Sequence, residues 1–262
     1  MRIKFERKIH RFESLDSTNL KARDYIQSGA PVGTTILARV QTLGRGRAER
    51  KWHSPLGGLY FSTLLIPSKP SRATELSILA GAAVAQAMSQ LMPKGARVTL
   101  KWPNDVLIGT RKVAGILSES VGDETMGMCV VGIGINVNTP AEELQSFAGN
   151  PFPATSMSIE LKNEGFDQER VLDVILTKLE SLYTLYWESG FDAIRRVWQD
   201  NCSMIGKKVQ VENAGFLGHN DKAPIRPLQG VFMGLDPNGA MVVKLADKDI
   251  AFYTGEITCY WP

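Results

Sequence analysis

One long helical pattern, set among short strand patterns, most limits how this chain can fold. Small and apolar residues recur at the i, i+3, i+4 and i+7 spacing of one helix face between positions 76 and 91, and Pro93 and Gly95 then end the pattern. They are Leu76, Leu79, Ala80, Ala83, Val84, Ala87, Met88 and Leu91. We expect this amphipathic helix to pack on a β-sheet, because its apolar face must be covered.

Short segments rich in Val, Leu, Ile, Tyr and Thr, separated by Gly and Pro, predict strands on both sides of this helix. They span residues 35–42, 58–66, 97–102, 106–108, 113–121 and 128–137. Two more helices are predicted at 168–186 and 191–198, the first with Leu172, Ile175, Leu179, Leu182 and Tyr186 on one face. Helices interspersed with strands predict the α+β class, with a mixed sheet flanked by helices.

After position 205 the pattern changes to short strands alone, at 208–212, 230–235, 240–245 and 250–257. The turn sequence Asp236, Pro237, Asn238, Gly239 joins the middle pair, and the polar stretch 213–228 is expected to be a long hairpin loop. We therefore expect two domains, residues 1–204 and a small all-β, barrel-like unit at 205–262.

Composition excludes several classes of protein. The 30 basic and 27 acidic residues leave a net charge of +3, far from the excess of a dedicated nucleic-acid or membrane-surface protein. Three cysteines without a CxxC pair support neither a disulfide framework nor a zinc knuckle, and fit a reducing cytoplasm. Neither a signal peptide nor a run of about 18 apolar residues is present, so we expect a soluble protein with no membrane segment.

Residues 44–52, GRGRAERKW, form the strongest local motif and are called the Gly-Arg loop below. Two glycines allow the backbone to approach a ligand, and three arginines supply planar donors for phosphate or carboxylate. Trp52 offers a face on which a purine can stack. The motif therefore indicates an anionic ligand that carries a base; the alternative is a solvated basic loop.

Two further segments carry groups suited to the same ligand. Asn104 and Asp105, within KWPND, stand between two predicted strands, where they are placed either to bind a hydroxyl or metal-bridged phosphate, or to serve as ordinary turn residues. Lys112 begins the apolar strand segment 112–117, where its ammonium is placed to neutralise a carboxylate under attack. The alternative is a strand-edge lysine that discourages aggregation.

Several familiar catalytic motifs are missing from the sequence. Residues 132–138, GIGINVN, do not form a GxGxxG motif, and no GxxxxGK[ST] phosphate loop is present. No Ser/His/Asp arrangement or plausible catalytic cysteine accompanies the three histidines, His10, His53 and His219. The sequence therefore offers no Ser/His/Asp set or catalytic cysteine on which a covalent enzyme intermediate would be expected.

Segments 16–19, 41–52, 101–105, 112–117 and 132–136 stand in the order and spacing of the biotin protein ligases. The resemblance covers essentially the whole chain, and the tail from 205 resembles their C-terminal SH3-like domain. It implies a class II synthetase-like catalytic domain that uses ATP and Mg²⁺ to form biotinyl-5′-adenylate. The biotin is then passed to a lysine of a biotin carboxyl carrier protein, the implied partner.

The resemblance also implies residue roles. Implied biotin-binding residues are Ser17, Thr18, Asn19, Gln41, Arg45, Gly46, Arg47, Lys112 and Gly115. Implied ATP-binding residues are Arg47, Arg50, Trp52, Asn104, Lys112 and Asn136. Implied catalytic residues are Arg45, Arg47, Lys112 and Asp105, the last resembling the carboxylate linked either to magnesium or to activation of the acceptor lysine. One departure is visible, since position 49 is Glu where the family loop has Gly.

Two alternatives to this function remain. Lipoate protein ligases share the fold and adenylate chemistry, but they resemble one another through an arginine-serine-triple-glycine segment that this sequence lacks. A non-enzymatic regulator is the second, because some biotin ligases repress transcription through an N-terminal winged helix domain. The motif at 16–19 leaves no room for such a domain, so we expect no specific DNA binding. The sequence leaves a monomer or a homodimer open.

Overall fold

A computed structural model describes residues 3–121, 127–144, 152–162, 165–215, 227–246 and 248–261. These residues form two β-sheets, one of seven strands and one of five, with helices between and around the strands of the larger sheet. The seven strands are β1 (Ile9–Leu15), β2 (Thr35–Gln41), β3 (Leu59–Leu65), β4 (Val98–Lys101), β5 (Asp105–Ile108), β6 (Arg111–Ser120) and β7 (Cys129–Ile135). The helices are α1 (Thr18–Gln27), α2 (Ala73–Leu91), α3 (Met157–Leu161), α4 (Gln168–Ser189) and α5 (Phe191–Asp200).

The larger sheet is mixed and has the order β1-β2-β3-β7-β6-β5-β4. β1 is parallel to β2, and the other neighbouring strands are antiparallel. The predicted mixed sheet with flanking helices is therefore confirmed. β6 lies between β7 and β5, so Lys112 belongs to an interior strand and the strand-edge alternative is wrong.

The two faces of the sheet are covered by different helices because side chains alternate along each strand. On one face Ile36, Leu64 and Val130 pack with Ala22 and Ile26 of α1. On the other face the next residues along each strand, Leu37, Leu65 and Val131, belong to the main core under α2. We call these the α1 face and the α2 face.

The predicted helix at 76–91 is α2, which starts three residues earlier than its apolar pattern and packs on the sheet as expected. The two later helices are also found, and α4 packs against α2. None of the described helices is long and apolar enough to cross a lipid bilayer.

Sequence reasoning missed β1, α1 and α3. Helix α1 buries the polar Thr18 and Asn19 beside Ala22 and Ile26, so its buried face lacks the apolar periodicity on which the prediction depended. Helix α3 has only five residues, too short to show a period.

The second sheet is antiparallel and consists of β8 (Lys208–Gly215), β9 (Leu228–Leu235), β10 (Met241–Lys244), β11 (Asp249–Phe252) and β12 (Thr254–Trp261), in the order β11-β10-β9-β8-β12. This arrangement is consistent with a small SH3-like unit. In the turn between β9 and β10, the Asp236 carboxylate accepts the N–H groups of Asn238 and Ala240. The division into two domains, with the boundary between residues 204 and 205, stays a prediction.

Two predictions in this region need correction. The segment 250–257 is two strands that meet at Tyr253, because β11 pairs with β10 whereas β12 crosses to β8. Residues 213–215 belong to β8, so the predicted loop begins later, and its remainder at 216–226 lies outside the described residues.

Candidate active site

Three glycines form a bare strip on the α1 face, which we call the glycine floor: Gly115 of β6, with Gly132 and Gly134 of β7. Gly115 pairs directly with Gly134 across the two strands. A Cβ atom at Gly132 would lie 2.1 Å from Asn19 Oδ1, and one at Gly134 would lie 2.5 Å from Trp52 Nε1. Only glycine therefore allows Asn19 and Trp52 to lie this close to the sheet.

A cluster of polar side chains, which we call the polar pocket, lies beside the glycine floor where α1 begins. It consists of Ser17, Thr18, Asn19 and Gln41. Ser17, at the N-cap of α1, is buried, as are Thr18 and Asn19. The side-chain oxygen of Gln41, Oε1, accepts hydrogen bonds from the backbone N–H of Thr18 at 2.8 Å and from the Thr18 hydroxyl at 3.1 Å. The pocket is thus a connected set of donors and acceptors suited to a small polar ring.

Ser62 of β3 completes this pocket and was missed by sequence reasoning. Its hydroxyl lies 2.6 Å from Asn19 Oδ1 and 2.7 Å from Thr18 Oγ1, and it is fully buried. A single serine in an apolar strand is an ordinary sequence feature, so only the pairing of β3 with its neighbours indicates its role.

The Gly-Arg loop folds as a short hairpin. The backbones of Arg45 and Lys51 form an isolated antiparallel β-bridge, and the Gly46 N–H donates to the Arg50 carbonyl at 2.7 Å. At the tip, Ala48 and Glu49 both have positive φ, 49° and 60°. Position 49, where the family has glycine, therefore lies in the left-handed region that glycine adopts without strain.

Each of the loop's three arginines contacts an acceptor on a different part of the fold. Arg45 Nη1 lies 3.2 Å from a carboxylate oxygen of Glu119 at the end of β6. Arg47 Nη1 donates to Asn104 Oδ1 at 3.3 Å, in the turn between β4 and β5. Arg50 Nη2 donates to the carboxylate of Glu256 in β12 at 2.6 Å.

The surroundings of Arg47 and Arg50 shift the pKa values of these two side chains in opposite directions. Burial lowers the pKa of Arg47, although the nearby Asp105 and Glu256 carboxylates oppose the effect. The hydrogen bond that Arg50 donates to the Glu256 carboxylate raises the pKa of Arg50. Glu119 and Glu256, which tie the loop to both sheets, carry no local sequence motif, and sequence reasoning missed both.

Asp105 is a buried carboxylate held between two lysines. Its Oδ1 lies 2.6 Å from Lys112 Nζ, and its Oδ2 lies 3.2 Å from Nζ of Lys101, whose side chain is 1% exposed. Burial alone would raise the pKa of Asp105, but the two ammonium groups outweigh it and lower the pKa to about 2. Lys101 is a further charged residue that sequence reasoning missed.

A bulge in β6 sets the direction of Lys112. Val106 pairs with Ala114 but Leu107 pairs with Lys112, so Val113 has no partner in the register. Val113 is buried in the main core, while Lys112 Cε would lie 3.5 Å from a Cβ at Gly115. Lys112 therefore shares the glycine floor's face of the sheet.

The remaining site residues surround this group. Trp52 lies against Gly115 and Gly134, with Lys112 Nζ 5.4 Å from its ring centre. Asn104 donates its amide to the Ile116 carbonyl at 2.8 Å. Asn136 donates its amide to the Thr155 carbonyl, and the Thr155 N–H in turn donates to the Lys112 carbonyl, so Asn136 borders the same strand.

The arrangement provides cations rather than metal ligands. No group of three or more His, Cys, Asp or Glu side chains that could hold a metal ion occurs among the described residues. Both oxygens of Asp105 face lysine ammonium groups, so in this geometry they do not fit a divalent cation. The site can instead hold an anion against Lys112 and the arginines, next to a small polar pocket.

Known proteins match both the sequence and the fold. The biotin/lipoate A/B protein ligase family matches residues 11–136. The "Bifunctional ligase/repressor BirA" of Bacillus subtilis (strain 168) is 32% identical over 256 residues, covering 93% of this chain and 71% of the relative. The "Biotin--[acetyl-CoA-carboxylase] ligase" of Paracoccus denitrificans is 30% identical over 233 residues, covering 87% of this chain and 91% of the relative.

Among solved structures, biotin protein ligase from Aquifex aeolicus in complex with biotin and ATP superposes with a TM-score of 0.76 at 27% identity, covering 96% of this chain and 97% of that one. The mixed sheet with its flanking helices is thus the fold of the biotin/lipoate class of ligases. Within that class, the chain belongs to the biotin protein ligase family.

Proposed function

We propose that this protein ligates biotin to a specific lysine of a biotin carboxyl carrier protein or domain, using ATP and releasing pyrophosphate and AMP. The observation that carries the proposal is a cluster of hydrogen-bonded polar side chains beside the glycine floor, with Lys112 and the Gly-Arg loop at the same face of the sheet. The polar pocket suits a small polar ring, and the cations suit a carboxylate and a phosphate. In biotinyl-5′-adenylate these two acid groups are joined as a mixed anhydride between the biotin ring and the adenosine. The family relationship supports the same reaction.

Biotin occupies the polar pocket in this proposal. Its ring system carries both donors and acceptors, and Thr18, Asn19 and Gln41 present both kinds of group in a buried setting, where such bonds give specificity. The valeryl chain is assigned to the glycine floor, so Trp52, which lies against Gly115 and Gly134 in the free protein, has to move when biotin binds. Its carboxylate ends at Lys112 and Arg45.

The first step is adenylation. A carboxylate is a poor electrophile, so one of its oxygens attacks the α-phosphorus of ATP, a phosphorus–oxygen bond forms, and pyrophosphate leaves. Lys112, Arg45 and Arg47 offset the charge that accumulates at phosphorus. Arg50, Trp52, Asn104 and Asn136 are assigned to the nucleotide.

The second step transfers biotin to the acceptor. The neutral amine of the acceptor lysine attacks the carbonyl of the mixed anhydride, an amide bond forms, and AMP leaves with the shared oxygen. The Gly-Arg loop excludes water from the anhydride between the steps, because hydrolysis would waste the intermediate.

Magnesium enters this reaction bound to the phosphates of ATP, where it supplies charge neutralisation. A direct role for Asp105 as a metal ligand remains a prediction from the family resemblance, and we derive no step from it. We expect the protein in a reducing cytoplasm, which suits the free thiols of Cys129 and Cys202.

Mass spectrometry of a carrier domain incubated with this protein, biotin and ATP tests the proposal. We expect one added biotin on one lysine and none when ATP is omitted. Lipoate in place of biotin is the matched control, and transfer of lipoate but not biotin would make the protein a lipoate ligase.

Specific DNA binding is not part of the proposed function. A net charge of +3 offers little non-specific attraction to DNA. Biotin-dependent protection of an operator-like site in a footprinting assay would contradict this.

A further inference from the structure

Glu119 lies where the polar pocket meets the Gly-Arg loop. One of its carboxylate oxygens accepts the Asn19 side-chain amide at 2.7 Å. The other accepts Arg23 Nη2 at 3.0 Å and lies 3.2 Å from Arg45 Nη1. The Glu119 side chain is 15% exposed, so these contacts are partly shielded from water.

Through the first contact, Glu119 helps to set the direction of the Asn19 amide, together with the Leu117 carbonyl, which accepts the same NH₂ group at 3.3 Å. An ionised carboxylate only accepts hydrogen bonds, so it must face the NH₂ group of Asn19. The carbonyl oxygen of Asn19 then faces Ser62 and the glycine floor, where a Cβ at Gly132 would be 2.1 Å away. The pocket is thereby given a fixed acceptor.

Through the second contact, Glu119 holds the Arg45 guanidinium near the pocket without occupying all of its donors. Arg45 Nη1 lies 3.2 Å from the carboxylate, and a guanidinium has five N–H donors, more than one carboxylate oxygen can accept. The others stay available for a carboxylate or phosphate. Arg23, on α1, stays with Glu119 as a second cation, so the carboxylate remains neutralised when Arg45 moves toward a ligand.

We propose that Glu119 is a positioning residue of this site, which sets the Asn19 amide and holds Arg45 so that the pocket and the Gly-Arg loop are ordered together. This inference rests on the proposed function only for the identity of the ligand. The ordering of the loop is a property of the free protein.

Two measurements on Glu119→Gln test the inference. The first is trypsin nicking within residues 45–51 without ligand, where Arg45, Arg47, Arg50 and Lys51 are the targets, because cleavage reports local opening. The second is the KM for biotin and for ATP in pyrophosphate release. We expect several-fold faster nicking, and a KM for biotin raised about ten- to a hundredfold, as expected for a lost charge-assisted hydrogen bond. The KM for ATP should change much less.

Two control variants separate positioning from general loss of charge. Arg23→Gln removes the other cation but leaves Glu119 with Asn19 and Arg45, so nicking should stay near wild type and the KM for biotin should rise less than in Glu119→Gln. Glu169→Gln removes an equivalent charge from an exposed ion pair with Arg11 on another part of the fold, and should also behave as wild type.

A KM for biotin near wild type in Glu119→Gln, or unchanged loop nicking, would overturn the inference. If Glu119→Gln melts below the assay temperature, Glu119→Asp replaces it, because its carboxylate keeps the charge but falls short of the same partners. Smaller changes of the same kind are then expected, and wild-type values overturn the proposal. If the wild-type protein releases no pyrophosphate with biotin, the proposed function fails, while the nicking comparison still decides the role of Glu119.

Discussion

Replacing Lys112 with alanine removes a group that serves both the ligand and the fold. In the proposed reaction its ammonium neutralises the biotin carboxylate, and in the free protein it lies 2.6 Å from the buried Asp105. The variant therefore tests two roles at once. Lys101 still faces Asp105 at 3.2 Å, so we expect the chain to fold.

The rate effect follows from the lost charged contact. Removing one such group from a developing transition state raises the barrier by about 2 to 4 kcal/mol, which slows adenylate formation roughly thirty- to a thousandfold. We expect this loss in biotin-dependent exchange of pyrophosphate into ATP.

The stability effect follows from the Asp105 carboxylate. Its pKa falls from an ordinary 3.8 to about 2 in the folded protein. That net shift corresponds to about 2 kcal/mol of stability, and the two lysines also offset the burial penalty of the carboxylate, so alanine at 112 should destabilise the fold by at least about 1 to 2 kcal/mol. A lowered pKa stabilises the fold above 3.8 and this contribution is lost as the pH falls toward 2. In the variant the pKa of Asp105 rises, so acid unfolding should begin at higher pH.

Arg111→Ala is the matched control, because it removes a cation from the preceding position of β6, where Arg111 pairs with Glu160 and not with Asp105. Urea unfolding at pH 7 and pH 4 together with the exchange assay measures both effects. If Lys112→Ala exchanges pyrophosphate at the rate of Arg111→Ala, then Lys112 does not contact the reacting carboxylate, and the reasoning is refuted.

Three further variants probe the Gly-Arg loop. Arg47→Gly loses charged contacts and adds backbone freedom, so the adenylate should escape and biotinylate an unrelated lysine-rich protein far more than wild type does; pyrophosphate release without such labelling would contradict this. Glu49→Gly should slow trypsin nicking of the loop relative to Glu49→Ala. Both variants remove the charge, but only glycine relieves the strain of the positive φ, which is worth about 1 kcal/mol. Equal nicking of the two variants would exclude strain at this position. Glu256→Gln breaks the contact to Arg50. In steady-state kinetics it should raise the KM for ATP about two- to fivefold and change the KM for biotin little. An unchanged KM for ATP would show that Glu256 does not contribute to nucleotide binding.

Features that depend only on residues close together in the sequence were predictable from the sequence. The period of α2, the strands β2, β3 and β7 and the turn at Asp236 follow from local hydrophobicity and turn chemistry, and the structure confirms them. The resemblance to biotin protein ligases likewise depends on short motifs, and the comparisons confirm the family. The assigned roles of individual site residues remain predictions.

What the sequence by itself determined is therefore the elements with a clear hydrophobic pattern and the residues of the short motifs. Only the tertiary structure decided which side chains meet them, because partners distant in the chain become neighbours through the order of strands in a sheet. Asn19 meets Glu119 across 100 residues, and Arg50 meets Glu256 across 206. Even the direction of Lys112 depends on a bulge opposite β5, since a side chain's face is set by its pairing with the next strand and not by its own identity.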